Sequence, residues 1–62
     1  MVDSNLKFLR KKNGFTQAQL AEKLAIKRSL VGAYEEGRAE PRLSTLVNIS
    51  RLFDISLDQL VL

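Results

Sequence analysis

TQAQLAEKLAIKRSLVGAYEEG, residues 16–37, holds two helical patterns with almost nothing between them. Thr16 is a good N-cap, and Leu20, Ala21 and Leu24 follow it at the helical period, with Gln17 exposed in the first turn. The second pattern, residues 28–36, buries Val31 and Tyr34 at i, i+3 spacing and stops at Gly37, the favoured residue just past a helix end. Only Ala25, Ile26 and Lys27 separate the two. So short a link rules out an antiparallel hairpin of long helices and suits a sharp crossing, for which Ala21 offers a small contact residue.

The same period continues on both sides. Ser4 is expected to cap a first helix over residues 5–12, with Leu6 and Leu9 inward, Val2 just ahead and Asn13-Gly14 as a left-handed stop. Beyond Gly37, residues 38–40 form a loop and Pro41 pre-sets the entry to a fourth helix. That helix turns Leu43, Leu46, Ile49, Ser50 and Phe53 inward and ends at Asp54. Ser56-Leu57-Asp58-Gln59 matches a capping box and opens a short fifth helix. No four-residue alternation of the strand type occurs. The expected fold is all-α: one domain over residues 1–62, a compact bundle of five short helices in which the second and third form a helix-turn-helix.

Composition narrows the chemistry. Sixty-two residues bury only ~60% of the surface of their unfolded chain, which leaves no room for an enclosed catalytic cavity. Without cysteine or histidine there is neither a disulfide framework nor the usual metal ligands, so no metal and no cofactor are expected. No apolar run approaches a membrane span, and nothing near the start resembles a secretory signal. A cytoplasmic protein is expected, and the Asn48-Ile49-Ser50 glycosylation pattern is a chance match. The net charge of +3 is uneven: residues 1–42 carry nine Lys/Arg against five Asp/Glu, residues 43–62 one against two.

Gly32 poses the functional question. Burying Val31 and Tyr34 turns Ser29, Gly32, Ala33 and Glu36 to the opposite side of the helix, with Arg28 on the flank. An outward glycine there costs about 1 kcal/mol relative to alanine. Two accounts fit: the glycine is tolerated and Lys27-Arg28 is an ordinary charged turn, or the helix enters a DNA major groove. In the second, small residues at 32 and 33 let the axis approach base edges, while Lys27, Arg28 and Ser29 supply donors at its start. Arg28 then pairs with guanine O6 and N7, and Ala33 meets a thymine methyl.

Over residues 6–60 the chain resembles the lambda-repressor-like, Cro-type (XRE) helix-turn-helix family. The resemblance rests on LKFLRKKNGFTQAQLAEKLAIKRSLVGAYEEGRAEP and then LVNISRLFDISLDQL, with Leu-x-x-Leu-Arg, Thr-Gln-x-x-Leu-Ala, Tyr-Glu-x-Gly-Arg and the Pro opening the fourth helix in register. It implies five helices and a transcriptional regulator, repressor rather than activator, that binds double-stranded DNA as a dimer on an inverted repeat. It also implies that Thr16 and Gln17 face phosphates at the start of helix two, and that Arg38 and Arg42 face the next ones. Lys27, Arg28, Ser29, Gly32 and Ala33 match base-facing positions, and Arg10 and Glu35 match a structural pair joining helices one and three. Ala25 stands where the family turn usually has Gly, and Asp54 where Gly usually follows helix four. Either Ala25 keeps the left-handed conformation at a cost of order 1 kcal/mol, or the turn differs and shifts helix three.

Other functions fit less well. Residues 32–39 echo a phosphate-binding loop by spacing but lack its Lys-Ser/Thr ending and a preceding strand, and no nucleophile has a histidine base, so an enzyme is not expected. No small-molecule ligand is evident. The rival is a protein-interaction module that docks partners through helix five or Phe8. Leu57, Leu60, Val61 and Leu62 are the expected contact of a homodimer through helix five, since not all of them are needed to close the core.

Overall fold

A computed structural model describes residues 2–61. Five helices follow one another: α1 (Val2–Lys12), α2 (Gln17–Leu24), α3 (Arg28–Glu35), α4 (Leu43–Phe53) and α5 (Leu57–Val61). No strand occurs among the described residues. The buried cluster takes Leu6 from α1, Leu20, Ala21 and Leu24 from α2, Val31 and Tyr34 from α3, Ile49 from α4 and Leu60 from α5. Each helix thus contributes its inward stripe to one core, and α2 crosses α3 over the small Ala21, which is buried.

One ending is used four times. After α1, Gly14 N–H donates to Lys11 O (3.0 Å) and Phe15 N–H to Arg10 O (3.1 Å). The same pair of bonds closes α2 at Ala25 and Ile26, α3 at Gly37 and Arg38, and α4 at Asp54 and Ile55. These are Schellman motifs, in which a left-handed residue lets the chain satisfy the last helical carbonyls and turn away. Ala25 (φ 56°) and Asp54 (φ 54°) adopt that conformation without being glycine. Ala25 therefore keeps the family turn at a steric cost of about 1 kcal/mol. The residue after the left-handed one folds back onto the core in three of the four cases, as Phe15, Ile26 and Ile55. Phe15 also stacks near Phe53, with ring centroids 6.2 Å apart.

The helix starts divide into two kinds. Thr16 Oγ1 accepts from Gln19 N–H (3.0 Å) and Gln19 Oε1 accepts from Thr16 N–H (2.8 Å), a complete capping box. Ser56 and Gln59 repeat it before α5, at 3.1 and 3.0 Å. By contrast, α3 and α4 begin at Lys27 and Arg42, whose side chains make no capping hydrogen bond.

Three expectations need correction. Ser4 lies inside α1, which already includes Val2, and Val2 lines a groove together with Tyr34, Pro41, Leu46 and Val61. Leu43, expected inward, is 68% exposed: as the first residue of α4 it stands before the turn at which that helix meets the core. Leu60 is fully buried and so is unavailable as a dimer contact. Of the other residues in that set, Leu57 is half-buried, Val61 is exposed and Leu62 lies outside the described residues. Finally, Asn5 Nδ2 donates to Leu60 O (2.8 Å), tying α1 to the end of α5.

Candidate nucleic-acid interface

The surface shared by α1, α2 and α3 opens into a hollow of about 570 Å³. Gln17, Arg28, Ser29, Gly32 and Arg38 line it, so five of the nine residues expected to meet DNA come together there, with the structural pair Arg10 and Glu35. Beside them stand Lys7 and Lys11, which sequence reasoning passed over because α1 lies outside the helix-turn-helix segment, although its packing brings both to the same hollow.

A buried network supports the hollow. Arg10 Nε donates to Glu35 Oε2 at 2.6 Å and Arg10 Nη2 to Glu35 Oε1 at 3.1 Å, with the two side chains only 11% and 2% exposed. Arg10 Nη1 also donates to Phe15 O (2.9 Å), and Gln17 Nε2 donates to Glu35 Oε1 (3.2 Å). The pair joins the end of α1, the turn after it, the first turn of α2 and the end of α3. Isolated, either charge would be costly in so dry a place; paired and hydrogen-bonded, they are retained and fix the angle between α1 and α3. The network also draws Gln17 in. It is half-buried rather than exposed, with its amide held over Gly32.

Gly32 makes no conformational demand, since it has ordinary helical backbone. A Cβ there would sit 3.8 Å from Gln17 Oε1 and 4.0 Å from Glu36 Oε2, ordinary contact distances. The fold has room for alanine at this position.

Ala33 requires a correction. It is 8% exposed, because the chain beyond α3 folds back and its carbonyl accepts from Arg38 N–H (2.9 Å) and Ala39 N–H (3.4 Å). Its side chain does not belong to the open face, and the thymine-methyl contact is withdrawn. The large apolar side chain that α3 does leave in solvent is Leu30, outside the Val31 and Tyr34 stripe.

Thr16, Lys27 and Arg42 are exposed but lie outside the hollow. All three are N-caps, and the two basic ones leave the first N–H groups of α3 and α4 without a side-chain acceptor. Such helix ends attract anions through those N–H groups and the helix dipole. At the other end of α3, the position filled by an apolar anchor after α1, α2 and α4 is taken by Arg38, which is exposed and bonded to Glu36 Oε2 (2.5 Å). Among the described residues, no group of acidic, Cys or His side chains is placed to hold a metal ion. No helix there is long and apolar enough to cross a membrane.

A helix-turn-helix family model matches residues 6–60. The HTH-type transcriptional regulator YqaE of Bacillus subtilis, itself uncharacterized, is 48% identical over 61 residues, covering 98% of this chain and 53% of that protein. A transcriptional regulator from Listeria innocua superposes with a TM-score of 0.94 at 31% identity, over 98% of this chain and 57% of its own. SinR, a master regulator for biofilm formation crystallised in complex with DNA, superposes with a TM-score of 0.88 at 27% identity, over 98% of both chains. The chain spans about half the length of curated relatives that it matches.

Proposed function

The chain belongs to the XRE-type helix-turn-helix family of transcriptional regulators, and we propose that it binds double-stranded DNA sequence-specifically by laying α3 in the major groove. The observation that carries this reading is the hollow. It combines cations, an uncapped helix start close by and a glycine that the fold itself does not require, all on the accessible side of α3. Arg28 and Ser29 meet base edges, with Lys27 at their flank, and Gly32 lets the axis come close. Thr16, Gln17, Arg38 and Arg42 meet phosphates on either side.

Two copies on an inverted repeat place their α3 helices in successive major grooves, about 34 Å apart. With Leu60 buried, the apolar surface that α5 offers among the described residues is Leu57 and Val61, far short of the roughly 800 Å² per partner of a stable interface. Dimerisation through α5 therefore occurs on the DNA, each copy held mainly by its own half-site. Repression is the regulatory outcome we infer, since occupying a promoter is enough to block it, whereas activation needs a further surface for the transcription machinery.

Selection of duplexes from a random DNA library at moderate salt tests the proposal. An enriched inverted repeat supports it. A single half-site removes the dimer, and weak binding to everything removes sequence specificity and favours a protein-interaction module.

A further inference from the structure

Five of the ten cationic side chains line the hollow, and they face two carboxylates, Glu35 and Glu36. The difference, +3, equals the net charge of the whole chain, so the rest of the protein is neutral on balance. Within the hollow, Arg10 is bound to Glu35 and Arg38 to Glu36. The uncompensated charges are Arg28 on α3 and two lysines of α1, Lys7 and Lys11. Both lysines are exposed, and neither takes part in an ion pair among the described residues. Lys12 and Lys23 differ, lying over the Phe8 and Phe15 rings at 5.9 and 5.0 Å.

We propose that Lys7 and Lys11 form a phosphate track on α1 that seats the sugar-phosphate backbone of a DNA duplex beside the groove entered by α3. The proposal rests on the DNA-binding reading above. Residues i and i+4 stand about 6 Å apart along a helix axis and share one face, so the two ammonium groups reach neighbouring phosphates of one strand. The buried Arg10–Glu35 pair holds α1 against α3. Contacts on the track therefore set the depth and tilt at which Arg28 and Ser29 approach base edges. The track reads no sequence; it supplies affinity and orientation.

The test is the salt dependence of binding to the duplex recovered by selection and to a random duplex. The Lys7→Ala/Lys11→Ala variant removes four contacts from a dimer, so the slope of log K against log salt becomes shallower by about 3.6, or by about 1.8 if one copy binds. Affinity falls by a similar factor on both duplexes, with base preference unchanged. Lys7→Arg/Lys11→Arg keeps the wild-type slope. Lys23→Ala/Arg51→Ala removes the same charge away from the hollow and changes the slope by less than about 1. Thermal melts confirm that each variant is folded. Equal slopes for the α1 variant and the Lys23/Arg51 control would overturn the track while leaving the DNA reading intact. Wild-type protein that binds no duplex at any salt would overturn both.

Discussion

Replacing Gly32 with alanine separates what the fold needs from what the ligand needs. The added methyl meets nothing closer than Gln17 Oε1 at 3.8 Å, and the backbone is already helical. The free protein therefore gains the helix-propensity difference, about 1 kcal/mol. A domain this small holds roughly 3 to 5 kcal/mol in all, so the gain is about a quarter of its stability, and Tm rises by about 4 to 8 °C. Binding moves the other way. The methyl lies between α3 and the base edges and keeps Arg28 from bidentate geometry, which is worth roughly 1 to 3 kcal/mol, or about 5- to 150-fold on the selected duplex. Random DNA, held through phosphates, is bound almost as before. Calorimetric melting and fluorescence anisotropy on both duplexes give the two numbers. A lower or unchanged Tm would show that the fold does require glycine; undiminished affinity for the selected duplex would refute the close approach.

Other substitutions probe the supports. Arg10→Ala strands a carboxylate that is 2% exposed, at a cost of about 3 to 5 kcal/mol, comparable to the whole stability, so urea titration should find the variant largely unfolded. The paired change Arg10→Met with Glu35→Leu should recover most of that loss; a double variant no more stable than Arg10→Ala would show that the pair is not what the single change breaks. Ala25→Gly removes the left-handed strain at φ 56° and should stabilise by about 0.5 to 1 kcal/mol once the more flexible unfolded chain is counted, measured as a shift in the urea midpoint. Arg28→Ala should relax base preference at one position, whereas Arg42→Ala should weaken selected and random duplexes alike; equal losses for both variants on both duplexes would refute that division of labour.

Much of the fold was legible because periodicity and punctuation agree. Leu20, Leu24, Val31 and Ile49 announce the buried side of their helices by spacing alone, and Gly14, Gly37 and the Ser56–Gln59 box mark ends that the structure keeps. The Thr16–Gln19 box follows the same Ser/Thr-x-x-Gln pattern and is equally legible. Where spacing misleads, a neighbour outside the element decides. Ala33 sits at an outward phase of α3 and is covered by a chain that returns after Gly37; Gln17 is drawn inward by a carboxylate eighteen residues away. Leu43 has the right phase but precedes the turn at which α4 meets the core. The i, i+4 spacing of Lys7 and Lys11 puts them on one face of α1, but the face they share with Arg28 exists only once α1 packs on α3.

The bond from Asn5 to the carbonyl of Leu60 joins residues that stand 55 positions apart. It ties the middle of α1 to the last described turn of α5, so the first and last helices of the bundle support each other. Cutting away the final turn would uncover Leu6 as well as remove Leu60, so damage at one terminus is felt at the other. Amide hydrogens in the middle of α1 should then exchange no faster than those of α2, the domain opening in a single cooperative event.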